Sequence, residues 1–271
     1  MVGITEQEYY KIAELIKETY GINLGDKKQV LLIGRLHNVL IENGIDNFTE
    51  YYNYVISDKT GRAINTLVNK ITTNHTFFMR ESEHFVYFKE NILPSLKSRI
   101  TDKDLRIWSA GCSSGEEPYT VAMILDEFFG AEKKQWDTKI LATDICATVL
   151  EKAIRGEYSK ESIDSLPPFW LSRYFRSSGT DKYLISDNIK KEIIFRRFNL
   201  MKSTFPFRRK FHVIFCRNVM IYFDDIVRKN LVNKFYDILE DGGYLVIGHS
   251  ESLNRCSTKF KYVIPALYRK E

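Results

Sequence analysis

The 271-residue sequence has no long hydrophobic run and only four cysteines. No apolar stretch approaches the roughly 20 residues needed to span a bilayer, and the acidic, amphipathic N-terminus is unlike a signal peptide. Cys112, Cys146, Cys216 and Cys256 are widely separated, with no Cys-x-x-Cys and no Cys/His spacing suited to zinc. These absences predict a cytoplasmic protein with reduced thiols, no metal site and no direct membrane insertion.

The net excess of positive charge is small for the whole chain, but it is concentrated locally. The net charge is +5, with 8 basic and 9 acidic residues in 1–75 and the excess in the remainder. Segment 196–210, RRFNLMKSTFPFRRK, has six basic residues, no acidic residue and three phenylalanines. Such a run suits nucleic acid, an acidic protein partner or a solvated surface, and we favour the last two.

Residues 5–75 have the periodicity of four short helices. Thr5 and Glu8 predict a capping box at the start of the first helix. The second helix is expected to begin near Asp26 and to bury Val30 among its apolar residues. We therefore predict an all-α domain over the first 75 residues, which serves for docking or as a lid.

From about residue 100, apolar strands alternate with helices, as in a parallel sheet. The predicted elements are strands at 105–111, 139–145 and 212–223, a helix at 225–240 that closes at Gly242 and Gly243, and two final strands. We predict a linker over 76–99 and an α/β domain over 100–271. Segment 158–200 breaks the alternation, which predicts an inserted antiparallel β-subdomain at about 178–198.

The stretch 105–125, LRIWSAGCSSGEEPYTVAMIL, is a predicted strand, a turn with two glycines, and a helix that begins with Glu116 and Glu117. Glycines at such a turn let the backbone approach a ligand. A bare helix N-terminus suits phosphate, whereas two carboxylates there repel a pyrophosphate and attract a cation. S-adenosylmethionine is a nucleotide-like ligand with that positive charge. Alternatively, the glutamates only compensate the helix dipole, with Ser114 and Glu117 forming a capping box.

The second predicted strand ends in Asp144. An acidic residue at this position commonly hydrogen-bonds the ribose hydroxyls of a nucleoside. Gly111 and Asp144 are 33 residues apart, whereas the usual spacing is about 20. This fingerprint is therefore weak by itself.

Six motifs, in order along the chain, resemble the chemotaxis receptor methyltransferases, which are S-adenosylmethionine-dependent protein-glutamate O-methyltransferases. The motifs are TTNHTFFMRE (72–81), WSAGCSSGEEPYT (108–120), ATDI (142–145), FNL (198–200), FCRNVMIYF (215–223) and GHSE (248–251). The resemblance covers essentially the whole chain. It implies a Rossmann-like class I methyltransferase sheet with a small inserted antiparallel β-subdomain, preceded by an all-α helical domain that approaches the methylated helices of the receptor.

The resemblance also implies the residues of the site. Those expected at S-adenosylmethionine are Asn74, Thr76 and Arg80 at its methionine end, Gly111 and Glu116 in the turn, Asp144 at the ribose, Asn199 and Leu200 at the adenine, and Arg217 and Asn218 beside the reacting centre. The acceptor glutamate has an ordinary pKa of about 4.3 and is already ionised, so no general base or metal is required. We expect Arg217 or Arg80 to orient the incoming carboxylate and Tyr222 to position it with a hydrogen bond.

Two alternatives stay open. A nucleic-acid methyltransferase would fit the basic run, but the only Pro-Pro pair follows Leu166 and lies outside a predicted strand end. A non-catalytic cofactor-binding adaptor is expected to lack Arg80, Glu116, Asp144 or Asn218, and all four are present.

The chain departs from the family pattern in three places. Met79 precedes the linker arginine, the second helix has only Lys27, Lys28 and Arg35 as basic residues, and segment 176–186 lacks a Gly-x-Gly turn. Members that bind a receptor's C-terminal tether carry that turn. We therefore expect recognition of receptors without a tether. Separately, we expect the protein to be a monomer.

Overall fold

The computed structural model describes residues 2–25, 28–254 and 258–271. Cys256 and the predicted start of the second helix at Asp26 lie outside the described residues. None of the helices in the described ranges is both long and apolar enough to cross a bilayer.

The N-terminal part is all-α, as predicted. Its helices are α1 (Glu6–Tyr20), α2 (Gln29–Glu42), α3 (Phe48–Ser57) and α4 (Arg62–Ile71). The capping box of Thr5 and Glu8 is confirmed. The prediction that Val30 is buried is wrong, because its side chain is 82% exposed. The buried face of α2 contains Leu32 and Leu36, and a residue two positions before Leu32 points to the opposite side of a helix.

The predicted linker is largely helical. It contains α5 (Ser82–Tyr87), a π-helical turn and α6 (Leu93–Arg99) in one continuous run. Phe85 and Phe88 are buried and pack against Phe215 of the sheet, with ring centroids 6.0 and 5.5 Å away. This segment therefore belongs to the core of the α/β part.

The remaining elements form two sheets with surrounding helices. The strands are β1 (Ile107–Ala110), β2 (Ile140–Asp144), β3 (Glu157–Ser159), β4 (Phe175–Gly179), β5 (Lys182–Ile185), β6 (Ile193–Arg197), β7 (Phe211–Cys216), β8 (Leu239–Ile247), β9 (Lys261–Ile264) and β10 (Leu267–Arg269). The helices are α7 (Glu116–Phe129), α8 (Ala147–Arg155), α9 (Lys160–Ile163), α10 (Pro168–Tyr174), α11 (Asp187–Lys190) and α12 (Asp225–Ile238).

The large sheet has the order β6-β2-β1-β7-β8-β10-β9. Its first five strands are parallel, β10 pairs antiparallel with β8, and β9 pairs antiparallel with β10. The chain runs from β1 to one side through β2 and β6, and then to the other side through β7 and β8. The order therefore reverses at β1, and open α/β sheets bind ligands at the carboxyl ends of strands at such a point. The predicted Rossmann-like class is confirmed.

The inserted β-subdomain is present, but its predicted range is wrong. The small antiparallel sheet has the order β3-β5-β4 and extends from Glu157 to Ile185. β6 pairs with β2 instead, with Ile193 opposite Ile140. The sequence of β6 matched a hairpin strand locally, whereas its actual partner lies about 50 residues away.

The C-terminal prediction also needs correction. α12 ends at Ile238, and β8 continues through Gly242 and Gly243 rather than starting after them. Gly242 has a φ of 74°, a backbone conformation that residues with a side chain rarely adopt. The final segment forms two strands, β9 and β10, so three strands (β8, β9 and β10) are present where two were predicted.

The helical domain packs against the loop after β7. The backbone N–H of Asn23 donates to the Tyr222 carbonyl at 2.8 Å, Ile22 forms a β-bridge with Phe223, and Lys17 lies 3.0 Å from Asp224. These contacts hold the end of α1 over the carboxyl ends of the strands.

Candidate active site

A cavity lies at the carboxyl ends of β1, β2 and β7, between the sheet and the helical domain. The cavity is partly open to solvent. The strand-end wall contains Gly111 to Ser113, Glu117, Thr143 to Ile145, Phe198 to Leu200, Arg217 to Val219, Tyr222 and Phe223. The helical-domain wall contains Tyr20, Ile22, Leu24, Lys28, Leu31 and Arg35, and the linker segment 71–80 closes one end.

Ten of the eleven predicted site residues line this cavity. They are Asn74, Thr76, Arg80, Gly111, Asp144, Asn199, Leu200, Arg217, Asn218 and Tyr222. Glu116 is the exception. The structure thus brings together residues that are up to 148 positions apart in the sequence.

The glycine turn after β1 is fixed by its neighbours. Gly111 has a φ of 95°, and a Cβ there would lie 2.3 Å from the Val219 side chain. The backbone N–H groups of Gly111 and Cys112 both donate to the Thr143 carbonyl, at 2.8 and 2.9 Å. The glycine therefore lets the turn pack against the loop after β7, and this packing shapes the cavity floor.

Asp144 ends β2 with its carboxylate already oriented. Its two oxygens accept hydrogen bonds from the backbone N–H groups of Ser113 (2.8 Å) and Cys146 (2.9 Å). Burial raises the pKa of Asp144, although these hydrogen bonds act in the opposite direction. Each carboxylate oxygen has a second lone pair that can accept a ligand hydroxyl.

Of the two adjacent acids in the first turn of α7, Glu117 faces the cavity and Glu116 does not. The Glu116 carboxylate is buried and accepts from the Ser114 hydroxyl at 2.8 Å, and burial raises its pKa. Glu117 accepts from the Ser109 hydroxyl at 2.7 Å and pairs with Arg217 at 3.1 Å. The alternative capping box is wrong, because Gly115 is the N-cap and α7 has no side-chain cap.

Arg217 is held in a buried network. Its side chain is 2% exposed and lies 3.1 Å from both Glu81 and Glu117. It also donates to the Arg80 carbonyl and lies 4.9 Å from the centre of the Phe85 ring. Because two carboxylates already neutralise this guanidinium, the geometry does not support the expected role of Arg217 in orienting an incoming carboxylate.

Arg80 and Tyr222 are more available. Arg80 donates to the His75 carbonyl at 2.6 Å and lies 5.9 Å from the Phe77 ring, and none of the ion pairs between described residues includes it. Tyr222 lies in a short 3₁₀ turn after β7, not at the strand end as predicted. Its hydroxyl has no hydrogen-bond partner in the described part of the chain. Both side chains can therefore bind a ligand without breaking an existing ion pair.

The other predicted residues connect parts of the structure. The Asn74 carbonyl accepts from the Ser113 hydroxyl at 2.9 Å, so the linker segment is tied to the glycine turn. The Asn199 side chain donates to the Thr19 carbonyl at 2.8 Å and accepts from the backbone of Met201. The Asn199 side chain thus joins the sheet to α1.

Two glutamates that the sequence did not single out as site residues order the loop after β7. Glu251 is buried and accepts from the backbone N–H groups of Asn218 (3.0 Å), Ile221 (3.1 Å) and Gly248 (2.6 Å). Glu81 accepts from the Asn218 side chain and the His249 backbone. Burial opposes ionisation of Glu81, but these hydrogen bonds and the charge of Arg217 outweigh it and lower its pKa. Both glutamates fall within the quoted motifs, and that was their only sequence signal.

The helical-domain wall was also missed. Its apolar members match the general periodicity of buried helices, so nothing in their sequence distinguished a cavity wall from an ordinary core. The prediction that this domain serves for docking or as a lid is compatible with its place over the cavity.

The basic run at 196–210 does not expose an aromatic surface. Its three phenylalanines are half-buried and pack around Trp108, with ring centroids 5.0–5.8 Å from the indole. Arg209 pairs with Asp102 and Asp104. Because these rings pack around Trp108, they do not form a row of exposed rings for the successive bases of a nucleic-acid strand, which weakens the nucleic-acid alternative.

Sequence comparisons match both parts of the chain to one family. Residues 7–72 match the all-alpha domain of CheR methyltransferases, and residues 74–266 match their SAM-binding domain. A chemotaxis protein methyltransferase of Borreliella burgdorferi is 43% identical over 272 residues, covering 99% of this chain and 96% of the relative. Chemotaxis protein methyltransferase 2 of Vibrio cholerae is 33% identical, with 96% and 90% covered. A probable chemotaxis protein methyltransferase of Rhizobium etli is 36% identical, with 92% of each covered.

Proposed function

The chain belongs to the CheR methyltransferase family, and from this premise we propose that it transfers the methyl group of S-adenosylmethionine to glutamate side chains of chemotaxis receptors, forming methyl esters. The observation that carries the proposal is the cavity, in which Asp144, Glu117, Arg80 and Tyr222 meet between the two domains. This methylation would adjust receptor signalling during adaptation.

The residues of the cavity fit this cofactor. Asp144 offers an oriented carboxylate to ribose hydroxyls. Glu117 offers negative charge to a cationic amino or sulfonium group, a role that we expected from Glu116. Arg80, which has no carboxylate partner among the described residues, offers positive charge to the carboxylate of the methionine end. Phe198 and Leu200 supply an apolar surface for a base.

The chain's own contribution is positioning and the exclusion of water. S-adenosylmethionine supplies an electrophilic methyl group, so a C–O bond forms as the C–S bond breaks and no proton is transferred. A hydrated carboxylate is a poor nucleophile, and an apolar surface beside it removes that water. Leu31 and Phe77 line the cavity and would do this, while the free Tyr222 hydroxyl would hold the acceptor oxygen.

The helical domain forms the wall of the cavity that would face the substrate. Its wall faces the strand-end wall, so an acceptor that enters the mouth contacts both. We propose that the receptor's helical methylation region docks here, and that it does so without a tether peptide. No nucleophilic side chain, metal or general base is needed, since the acceptor is already ionised near neutral pH.

The chemical nature of the product tests the proposal. Purified chain, receptor-bearing membranes and methyl-labelled S-adenosylmethionine are incubated, and the product is then treated with alkali. We expect the label to be released as volatile methanol, because a glutamate methyl ester is hydrolysed by alkali. A Tyr222→Phe variant should lower turnover more than cofactor affinity.

Label that stays on the product after alkali would contradict esterification, as N-methyl groups do not hydrolyse. Label in nucleic acid would favour the alternative methyltransferase. Cofactor binding without any transfer to receptors would favour the non-catalytic adaptor.

A further inference from the structure

Three side chains of types that can ligate a metal ion lie together behind the strand-end wall and have no role in the proposed transfer. The ligand atoms of Glu81, His84 and His249 all lie within 4.8 Å of one another. Glu81 and His84 are three residues apart at the start of α5, whereas His249 follows β8. The sequence showed no zinc-type spacing because the fold brings the third residue from 165 positions away.

The environment of the His84 imidazole requires an explanation. The residue is 1% exposed, and neither ring nitrogen has a hydrogen-bond partner in the described part of the chain. Its Nδ1 lies 3.5 Å from a Glu81 oxygen, and its ring packs edge-on against His249 at 4.4 Å. Native proteins rarely bury a polar side chain without a partner. Here one ring nitrogen of His84 lies within 4.8 Å of a ligand atom of Glu81 and of His249.

The surroundings suit a cation despite the nearby arginine. Arg217 pairs with both Glu81 and Glu117, so these three groups sum to one negative charge. His249 is exposed and gives access from solvent. Two imidazoles and one carboxylate form a donor set typical of zinc with an open position, and nitrogen donors do not suit magnesium or calcium.

The cluster is coupled to the cavity through a shared carboxylate. Glu81 also accepts from Arg217 and Asn218, both of which lie on the strand-end wall. An ion bound to Glu81 would compete for this carboxylate and place two positive charges behind a cavity that receives a cationic ligand. By linkage, the ion and the ligand would then weaken each other's binding equally.

We propose that Glu81, His84 and His249 bind one zinc-class divalent ion, and that this ion opposes binding of S-adenosylmethionine. The second half rests on the proposed cofactor site, whereas metal binding does not. The site is regulatory, because the transfer itself needs no metal.

Calorimetric titration of the metal-free full chain with zinc chloride tests the first half. We expect one ion per chain and no binding of magnesium. His249→Ala, an exposed substitution that should not disturb folding, should weaken zinc binding at least tenfold. His37→Ala, at a histidine on α2, should leave it unchanged. Nitrogen NMR of the His84 ring reports its participation without altering this buried residue, and its resonances should shift on zinc addition.

Titration with S-adenosylmethionine, with and without saturating zinc, tests the second half. Zinc should weaken cofactor affinity about fivefold or more in the unaltered chain and in His37→Ala, but not in His249→Ala. Equal zinc affinity in the unaltered chain and His249→Ala, or unshifted His84 resonances, would overturn the site. Cofactor affinity that is unchanged by bound zinc would overturn the coupling. A failure of the metal-free chain to bind S-adenosylmethionine would count against the proposed function and leave the zinc titration valid.

Discussion

The strand-end wall and the helical-domain wall of the cavity are constructed in opposite ways. In the strand-end wall, Asp144 and Glu117 are held by hydrogen bonds from Ser113, Cys146, Ser109 and Arg217 before any ligand arrives. The helical-domain wall is mainly apolar, and its two charged members are Lys28 and Arg35.

This difference separates two tasks of the site. Fixed charges recognise a ligand whose charges match, because no reorganisation is needed when it binds. An apolar wall excludes water and accepts a range of shapes. We therefore expect substitutions in the strand-end wall to change cofactor affinity strongly and specifically, and substitutions in the helical-domain wall to change it weakly.

Glu117→Gln should have the largest effect. It removes one of the negative charges that face the cavity and one of the two carboxylates on buried Arg217, so cofactor affinity should fall about 30-fold, or about 2 kcal/mol. Glu116→Gln is the matched control, one residue away and buried outside the cavity, and should change affinity less than about threefold. Calorimetry measures both. Equal losses in the two variants would remove the distinction between these acids.

Asp144→Asn comes next. An amide cannot accept in the same way from both Ser113 and Cys146 and hold a ribose as well, so affinity should fall about tenfold, or 1.4 kcal/mol. S-adenosylmethionine and adenosine both contain the ribose, so the loss of affinity should be equal for these two ligands. A loss confined to S-adenosylmethionine would place Asp144 at its methionine end.

The pH dependence of cofactor binding should report the ionisation of the Asp144 carboxyl group. Burial raises the pKa of Asp144 in the free protein, whereas ribose hydroxyls donate to the carboxylate form and would lower it. Affinity should therefore be full above the raised pKa and fall as the pH decreases through it, by no more than about tenfold per unit. Titrations at several pH values should show this slope in Glu116→Gln and not in Asp144→Asn. A slope that persists in Asp144→Asn would assign the proton to another group.

Leu31→Ala should have the smallest effect. Leu31 lines the helical-domain wall, so its truncation should weaken cofactor binding only about threefold, through lost apolar contact. Val30→Ala is the matched control, because Val30 is the neighbour of Leu31 on α2, is 82% exposed and does not line the cavity. A tenfold effect of Leu31→Ala, measured by the same calorimetry, would mean that the two walls contribute comparably.

Much of the fold followed from local signals in the sequence. The capping box of Thr5 and Glu8 depends on neighbouring residues and was confirmed. The pairing of β6 with β2 depends on a distant partner, and the range of the inserted sheet was accordingly wrong. Local patterns define elements, whereas tertiary packing determines which sheet an edge strand joins.

The site shows the same division. Motif residues such as Arg80, Asp144 and Asn218 line one cavity, as a shared site requires. Glu116 and Glu117 are equivalent in sequence, and only the packing of α7 determines which one faces the cavity. Leu31 carries no motif, because an apolar residue that covers a ligand looks in sequence like one that covers a core.

A crystal structure with S-adenosylhomocysteine bound would locate each of these contacts. We expect the ribose hydroxyls on Asp144, the amino group within hydrogen-bond distance of Glu117, and the amino acid carboxylate at Arg80, with the helical-domain wall covering the ligand. A ligand whose amino group contacts Glu116, or that lies outside this cavity, would contradict this expectation.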